Sequence, residues 1–133
     1  MDAGPLVAVL DEREDEHDAC TDLLGEWPGP LIVPTLCLAE AAYLIGERLG
    51  WEREIQLLAA IESAELVIEP LDPSDLERIA QLVAAYRDLS LGTADASVVA
   101  TAERLGVTTI ATLDHRHFGV VRPTHVDAFD LAP

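Results

Sequence analysis

Leu31-Ile32-Val33-Pro34-Thr35-Leu36-Cys37-Leu38-Ala39-Glu40 changes character within a few residues. Leu31-Ile32-Val33 is short, branched and fully apolar, which predicts a buried strand stopped by Pro34. Thr35 is then placed to cap a long helix over about 36–49, which Gly50 ends. A buried strand feeding directly into a helix is the unit of an α/β fold with a parallel sheet. The pattern recurs on both sides. A very short first strand at the N-terminus leads into a helix over 4–10, and a second helix is expected over 15–24. A helix over 51–63 precedes a strand over 66–68. Asp72-Pro73-Ser74-Asp75 carries a cap, a proline at the first helical position and an acid in the first turn, so it starts a helix reaching about Tyr86. Gly92-Thr93 opens another, closed by Gly106. Thr109-Ile110-Ala111-Thr112-Leu113 is a strand ending at Asp114, residues 115–118 make one helical turn, and 128–131 form a final edge strand. No repeat or linker divides the chain, so one domain is expected over 1–133.

The 133 residues are half apolar, enough for a real core and incompatible with disorder. No apolar run approaches the roughly 20 residues of a membrane span. The apolar stretch 6–10 runs straight into Asp11-Glu12-Arg13-Glu14-Asp15-Glu16, unlike a signal peptide, and the expected location is the cytoplasm. Cys20 and Cys37 match no zinc or redox spacing and read as reduced packing residues. Net charge is −17; all eight cations are arginine and lysine is absent. A sequence-independent nucleic-acid binder normally presents a basic face. Any nucleic acid here must be held by bound metal and a few local arginines.

Four of the 25 acids stand in unfavourable surroundings. Glu40 interrupts a helix that is apolar nearly all round, where an uncompensated carboxylate costs several kcal/mol. Its plain alternative is a place on a wet stripe. Asp95 lies among small residues in Gly92-Thr93-Ala94-Asp95-Ala96-Ser97, where it can equally cap a helix. Asp114 follows a strand, at the carboxyl edge where α/β sheets bind ligands, or is a turn residue. Asp2 precedes a strand-to-helix turn at Ala3-Gly4-Pro5, or is a frayed terminal acid. Taken together, two acids fall at strand ends and two on inward helix faces. Four carboxylates in one pocket repel and raise one another's pKa values, and a divalent cation relieves this. Mg²⁺ or Mn²⁺ suits an all-oxygen set; such an ion activates water, orients it on a phosphodiester and stabilises the leaving oxygen. Thr112 is placed to orient a water there.

With those residues in view the chain resembles a known family. Asp2-Ala3-Gly4-Pro5-Leu6-Val7-Ala8 is similar to the opening motif of PIN domains, especially the VapC toxins of bacterial toxin–antitoxin pairs. Val33-Pro34 with Leu38-Ala39-Glu40 resembles the second acidic motif, Leu91-Gly92-Thr93-Ala94-Asp95-Ala96 the third, and Thr112-Leu113-Asp114-His115-Arg116-His117-Phe118 the fourth. The tail through Val121-Arg122-Pro123 to Leu131-Ala132-Pro133 is similar too, so the resemblance spans the chain. It implies a PIN-like three-layer α/β/α sandwich with a mainly parallel sheet. It also implies a Mg²⁺-dependent endoribonuclease toxin that cleaves structured RNA such as tRNA or rRNA, with Asp2, Glu40, Asp95 and Asp114 as catalytic and metal-binding residues. A homodimer and a VapB-type antitoxin partner follow from the same resemblance. Family members carry several strand residues ahead of the first Asp; here only Met1 precedes Asp2.

The remaining residues read plainly. His115-Arg116-His117 borders the cleft rather than forming a zinc site, and Arg13, Arg116 and Arg122 are candidate phosphate contacts. Phe118 is a core anchor, His17 and His125 lie at the surface, and Trp27 and Trp51 serve packing or a dimer contact. Two other functions compete. A receiver domain of a signalling relay is also a small doubly wound domain with acids at strand ends, but it needs a lysine that this chain lacks. A non-catalytic PIN module acting as an interaction scaffold would be announced by loss of an acid, and all four are present.

Overall fold

The computed structural model describes residues 1–63 and 66–133; the start of the strand expected at 66 and the end of the preceding helix therefore adjoin Ala64 and Glu65, which lie outside the described residues. In chain order the elements are α1 (Ala3–Leu10), α2 (His17–Glu26), β1 (Leu31–Pro34), α3 (Thr35–Leu49), α4 (Trp51–Glu62), β2 (Leu66–Glu69) and α5 (Pro73–Ala85). A short 3-10 turn (Arg87–Leu89), α6 (Thr93–Leu105), β3 (Thr109–Ala111), α7 (His115–Val120) and β4 (Asp130–Ala132) complete it.

The strands form two parallel ribbons. β1 pairs with β2, Leu31 opposite Leu66, and β3 pairs with β4, Thr109 opposite Asp130. Met1 and Asp2 run between them: the Met1 nitrogen donates to the Ile32 carbonyl at 2.6 Å and the Asp2 amide to the Ala111 carbonyl at 2.9 Å. The very short first strand expected from sequence is thus this dipeptide, too brief to count as a strand yet hydrogen-bonded to both ribbons. Asp2 emerges at the carboxyl end of the strands because parallel strands all point the same way.

Helices pack against the strands and one another: α1 on α2 and α3, α3 on α4 and α6, α5 on α6. This is the α/β sandwich with parallel strands that the sequence predicted. One cluster of buried side chains runs from Met1 through Val33, Ile45, Leu82, Val99 and Ile110 to Phe129. Phe118 is buried in it, as expected of an anchor, and both cysteines are free and buried. Among the described residues no helix is long and apolar enough to cross a membrane.

Several local expectations change. Asp72 and Asp75 form the capping box that opens α5, and Gly106 closes α6 with left-handed backbone (φ 69°), both as the sequence implied. Thr35 does not cap α3. It is the first helical residue, and its hydroxyl donates to the Glu69 carbonyl at 3.0 Å, fastening α3 to the end of β2. β3 stops at Ala111, because Thr112 leaves the ladder to serve the site, although its amide still donates to Ala132 at 2.8 Å. The last strand is shifted to Asp130–Ala132 by this register. His17 and His125 are half-buried rather than superficial: His17 Nδ1 lies 2.8 Å from the Ala8 carbonyl, and His125 Nε2 lies 2.7 Å from that of Val107.

Candidate active site

Asp2 is the N-cap of α1. Oδ1 accepts the Ala3 amide at 2.7 Å and Oδ2 accepts the Thr112 hydroxyl at 2.8 Å. The residue is 6 % exposed. Two other acids are as deeply buried, Asp11 and Asp75, and the comparison is informative. Asp11 is gripped by both branches of the Arg13 guanidinium, at 2.7 and 2.9 Å, and Asp75 by Arg104 at 3.0 Å. Asp2 is therefore, among the described residues, the buried carboxylate without an arginine. Burial pushes its pKa up, Asp95 adds to the rise, and the two hydrogen bonds only partly oppose it.

Glu40 departs from expectation. α3 buries only the stripe Cys37, Ala41 and Ile45, so Glu40 falls on the wet side of the helix and is exposed. The wet-stripe alternative therefore describes its position. Its carboxyl nevertheless sits near the others: partial desolvation raises its pKa first, then repulsion from Asp2 and Asp95. Cys37, one turn earlier, lies beneath the same group. Burial followed by repulsion from Asp2 pushes its thiol up to about 12, which keeps it protonated and inert.

Asp95 stands in the first turn of α6, half-buried, with Oδ2 accepting the Gly92 amide at 3.1 Å. Asp114 caps α7, Oδ1 accepting the His117 amide at 2.9 Å. The capping role weighed as the alternative for Asp95 is thus real, Asp114 is a helix cap rather than the plain turn residue weighed for it, and the caps fix where each carboxylate points. Thr112, fully buried, joins the two ends of the site: its hydroxyl donates to Asp2 and accepts the Asp114 amide at 3.0 Å.

The structure brings Asp2, Glu40 and Asp95 into mutual repulsion and connects Asp114 to them through Thr112. It also adds His117, which sequence reasoning left at the border. Nδ1 of His117 lies 2.7 Å from Asp114 Oδ2 and 3.6 Å from Asp95 Oδ2. The available signal was spacing: a residue three beyond a helix cap lies over that cap. Of the arginines, Arg13 is held by Asp11, and five more lie within 4 Å of a carboxylate: Arg48, Arg53, Arg78, Arg87 and Arg104. Among the described residues Arg116 and Arg122 have no carboxylate partner, and both are exposed on or just after α7.

The family model of the PIN domain matches residues 1–122. The chain belongs to the PIN domain family. Over its full 133 residues this PIN domain is 31 % identical to Ribonuclease VapC26 of Mycobacterium tuberculosis (strain ATCC 25618 / H37Rv), of which it covers 98 %. Its fold is similar to the crystal structure of Mycobacterium tuberculosis VapC20, a Sarcin-Ricin loop cleaving toxin. The TM-score is 0.83 over 94 % of this chain and 95 % of that one, at 15 % identity. At that identity the likeness speaks for the fold, not for the residues of the site.

The donor chemistry of this PIN domain suits a hard divalent cation. The acids offer oxygen only, the pKa values of Asp2 and Glu40 are raised by burial first and by repulsion from neighbouring acids as well, and Nδ1 of His117 is buried with no aligned hydrogen-bond partner. Among the described residues no three His, Cys, Asp or Glu side chains converge on a single point as a ready-made ligand set. A surface groove of about 460 Å³ lies elsewhere, apolar, lined by Leu6, Leu10, Leu24, Leu57 and Leu66, with none of the four acids.

Proposed function

We propose that this PIN domain is a VapC-type endoribonuclease toxin that requires Mg²⁺ or Mn²⁺, acts on structured RNA in the cytoplasm and is held in check by an antitoxin. The observation that carries this reading is Asp2: a carboxylate buried without an arginine, repelled by Asp95, at the carboxyl end of the parallel strands. A protein tolerates such a group when a bound cation compensates it. The 31 % identity to a ribonuclease over the whole chain supports the same reading.

Asp2, Glu40, Asp95 and Asp114 would hold the ion, which when bound supplies Lewis-acid chemistry for phosphodiester hydrolysis. The chain's own contribution is orientation. Thr112 keeps Asp2 and Asp114 in register, the caps on α6 and α7 aim Asp95 and Asp114, and burial excludes water from the Asp2 side. Arg116 and Arg122, exposed and unpaired with acids, are the arginines this reading assigns to substrate phosphates.

The antitoxin reading rests on the apolar groove and on charge. In this proposal a partner helix covers apolar surface near Leu44, Trp51 or Leu57. Leu57 proves buried and forms part of the groove wall, while Trp51 is 65 % exposed with Ile55 and Leu58 on the same helix. A basic amphipathic helix fits this apolar lining on a chain of net charge −17. Self-association as a homodimer is part of the same proposal.

The test is inducible expression in a bacterial host. The parent is expected to arrest growth, Asp95→Asn to leave growth intact, and co-expression of the small reading frame beside the gene to restore growth and co-purify. Harmless expression of the parent, with no bound partner, would leave a non-catalytic interaction module.

A further inference from the structure

Met1 and Asp2 bridge the two ribbons, and a chain that bonds to a strand on each side occupies a strand's place. Neighbouring strands lie about 4.8 Å apart, so β1 and β3 face one another across about 10 Å, room for one extended chain. The dipeptide fills only the carboxyl end of that slot. Ahead of Met1 the slot is open. Two cavities lie there, of about 210 and 30 Å³, and both are walled by Met1, Ile32, Val107 and Thr109. Trp27 and Pro30, just ahead of β1, close the larger; Thr101 and Leu105 of α6 close the smaller.

The main chain of both walls is arranged for a partner. Alternate residues of a strand turn their N–H and C=O to opposite neighbours. Along 108–112 the Thr108 carbonyl accepts the Asp130 amide at 3.0 Å and the Thr112 amide donates to the Ala132 carbonyl at 2.8 Å, so the even positions serve β4. The Ala111 carbonyl accepts the Asp2 amide instead, so Thr109, two residues earlier, turns its main-chain groups into the slot. On the other wall the Ile32 carbonyl meets the Met1 nitrogen at 2.6 Å, and the Ile32 N–H points to the same side as its carbonyl. Ile32 and Thr109 are both only half-buried.

Met1 itself is set as a mid-strand residue. It is 9 % exposed, and among the described residues its nitrogen has one hydrogen-bond partner, the Ile32 carbonyl. An ammonium brings three donors and a charge to that place, more than one carbonyl compensates. A peptide N–H brings one donor and no charge, which the same carbonyl satisfies in full.

We propose that the slot seats a strand of about three residues, the length of β3, joined to the Met1 nitrogen and parallel to β1 and β3. It unites the ribbons into one sheet in which it lies between β1 and β3. Enclosed by Trp27 and Pro30 in one cavity and by α6 in the other, it is apolar throughout, as a central parallel strand is. Asp2 then ends a strand paired on both sides, which fixes where its carboxylate stands. The inference is independent of any metal.

Three forms of the protein test the seat: the 133 residues as they stand, the same chain extended by Met-Ile-Val-Ile ahead of Met1, and the chain extended by Met-Gly-Ser-Gly. Both extensions remove the terminal charge from Met1, and only the first suits a buried strand. The apolar form is expected to melt at least about 4 °C above the Gly-Ser form. Its Ile32 and Thr109 amides should exchange with solvent about tenfold more slowly. Equal melting of the two extended forms overturns the proposal. If that is found and the melting of the unextended form rises with its own concentration, a second copy takes the slot, and the proposal is equally overturned. Intact mass of the protein made from its natural gene, with the DNA ahead of it, tests the occupant. It is expected to exceed the mass of the 133 residues by the apolar residues of that strand. A mass equal to that of the 133 residues, or a polar extension, overturns the proposal, and this measurement decides alone if the apolar form does not fold.

Discussion

The hydroxyl of Thr112 donates to Asp2 Oδ2 at 2.8 Å and accepts the amide of Asp114 at 3.0 Å, so one buried side chain holds two of the four acids in register. Thr112→Val removes both bonds at nearly constant volume and leaves a buried carboxylate and a main-chain donor short of partners. The expected loss is about 1–3 kcal/mol of stability. RNA cleavage should fall further than that loss of folded protein explains. Thr112→Ser keeps the hydroxyl and should retain most activity. Chemical denaturation and a cleavage assay on the two variants check this; equal activity in both would show that the hydroxyl has no role in orienting the acids.

A pH dependence follows from Asp2. Its pKa is raised in the fold, by burial first and by Asp95 as well. A raised acid binds its proton more tightly in the folded chain. Its contribution therefore favours folding below the raised pKa and is lost as pH rises through it. In chelator, ionised Asp2 should destabilise the fold at neutral pH, and Asp2→Asn should melt above the parent there. The difference should shrink as pH falls towards the ordinary carboxyl range, near about 4. Acids whose pKa values are lowered, Asp11 and Asp72 among them, act the other way but equally in both proteins. A difference that stays constant between neutral and acidic pH would mean that Asp2 is not strained by ionisation.

On the proposed metal-dependent reading the four acids bind the ion only in the folded arrangement, so added Mn²⁺ should raise the melting temperature of the parent. At a hundredfold excess over the dissociation constant the gain is about 2.7 kcal/mol. Glu40→Gln should show a smaller rise, because Glu40 is one of the acids that Asp2 and Asp95 repel. Thermal melts over a Mn²⁺ series decide it: equal rises in both proteins would remove Glu40 from the site.

Salt should weaken RNA binding only gently at fixed Mg²⁺. Six of the eight arginines are engaged with the chain's own carboxylates, leaving Arg116 and Arg122 for phosphate. About two phosphate contacts give a log–log slope of roughly −1.4 to −1.8, far shallower than that of a basic binder. Arg116→Ala or Arg122→Ala should each reduce the slope by about one. A steep slope in the parent, unchanged in both variants, would place the phosphate contacts elsewhere.

Much of the fold was legible because its signals are local. Pro34 after a branched apolar run, the capping pair Asp72 and Asp75, and Gly106 each act on a few neighbouring residues, and the structure places them accordingly. The acids were legible only in part. Reasoning from unfavourable surroundings singled out Asp2, which is buried without an arginine, but passed over Asp11 and Asp75, whose arginines lie two residues away in one case and on another helix in the other. Glu40 was placed on an inward face because α3 is rich in apolar residues all round; the helix buries only its Cys37, Ala41 and Ile45 stripe, a fact of packing that composition does not reveal. His117 escaped for the same reason: its partner is a carbonyl in a distant turn, and backbone acceptors leave no trace in the choice of side chain.

The most direct measurement is cleavage of total RNA by the purified protein in Mg²⁺, in Mn²⁺ and in excess chelator, with the new 5′ ends mapped and Asp95→Asn treated in parallel. Discrete ends within structured RNA are expected in either metal, disappearing in chelator and in the variant. Cleavage that persists in chelator, or equally in Asp95→Asn, would contradict a metal centre built on these acids.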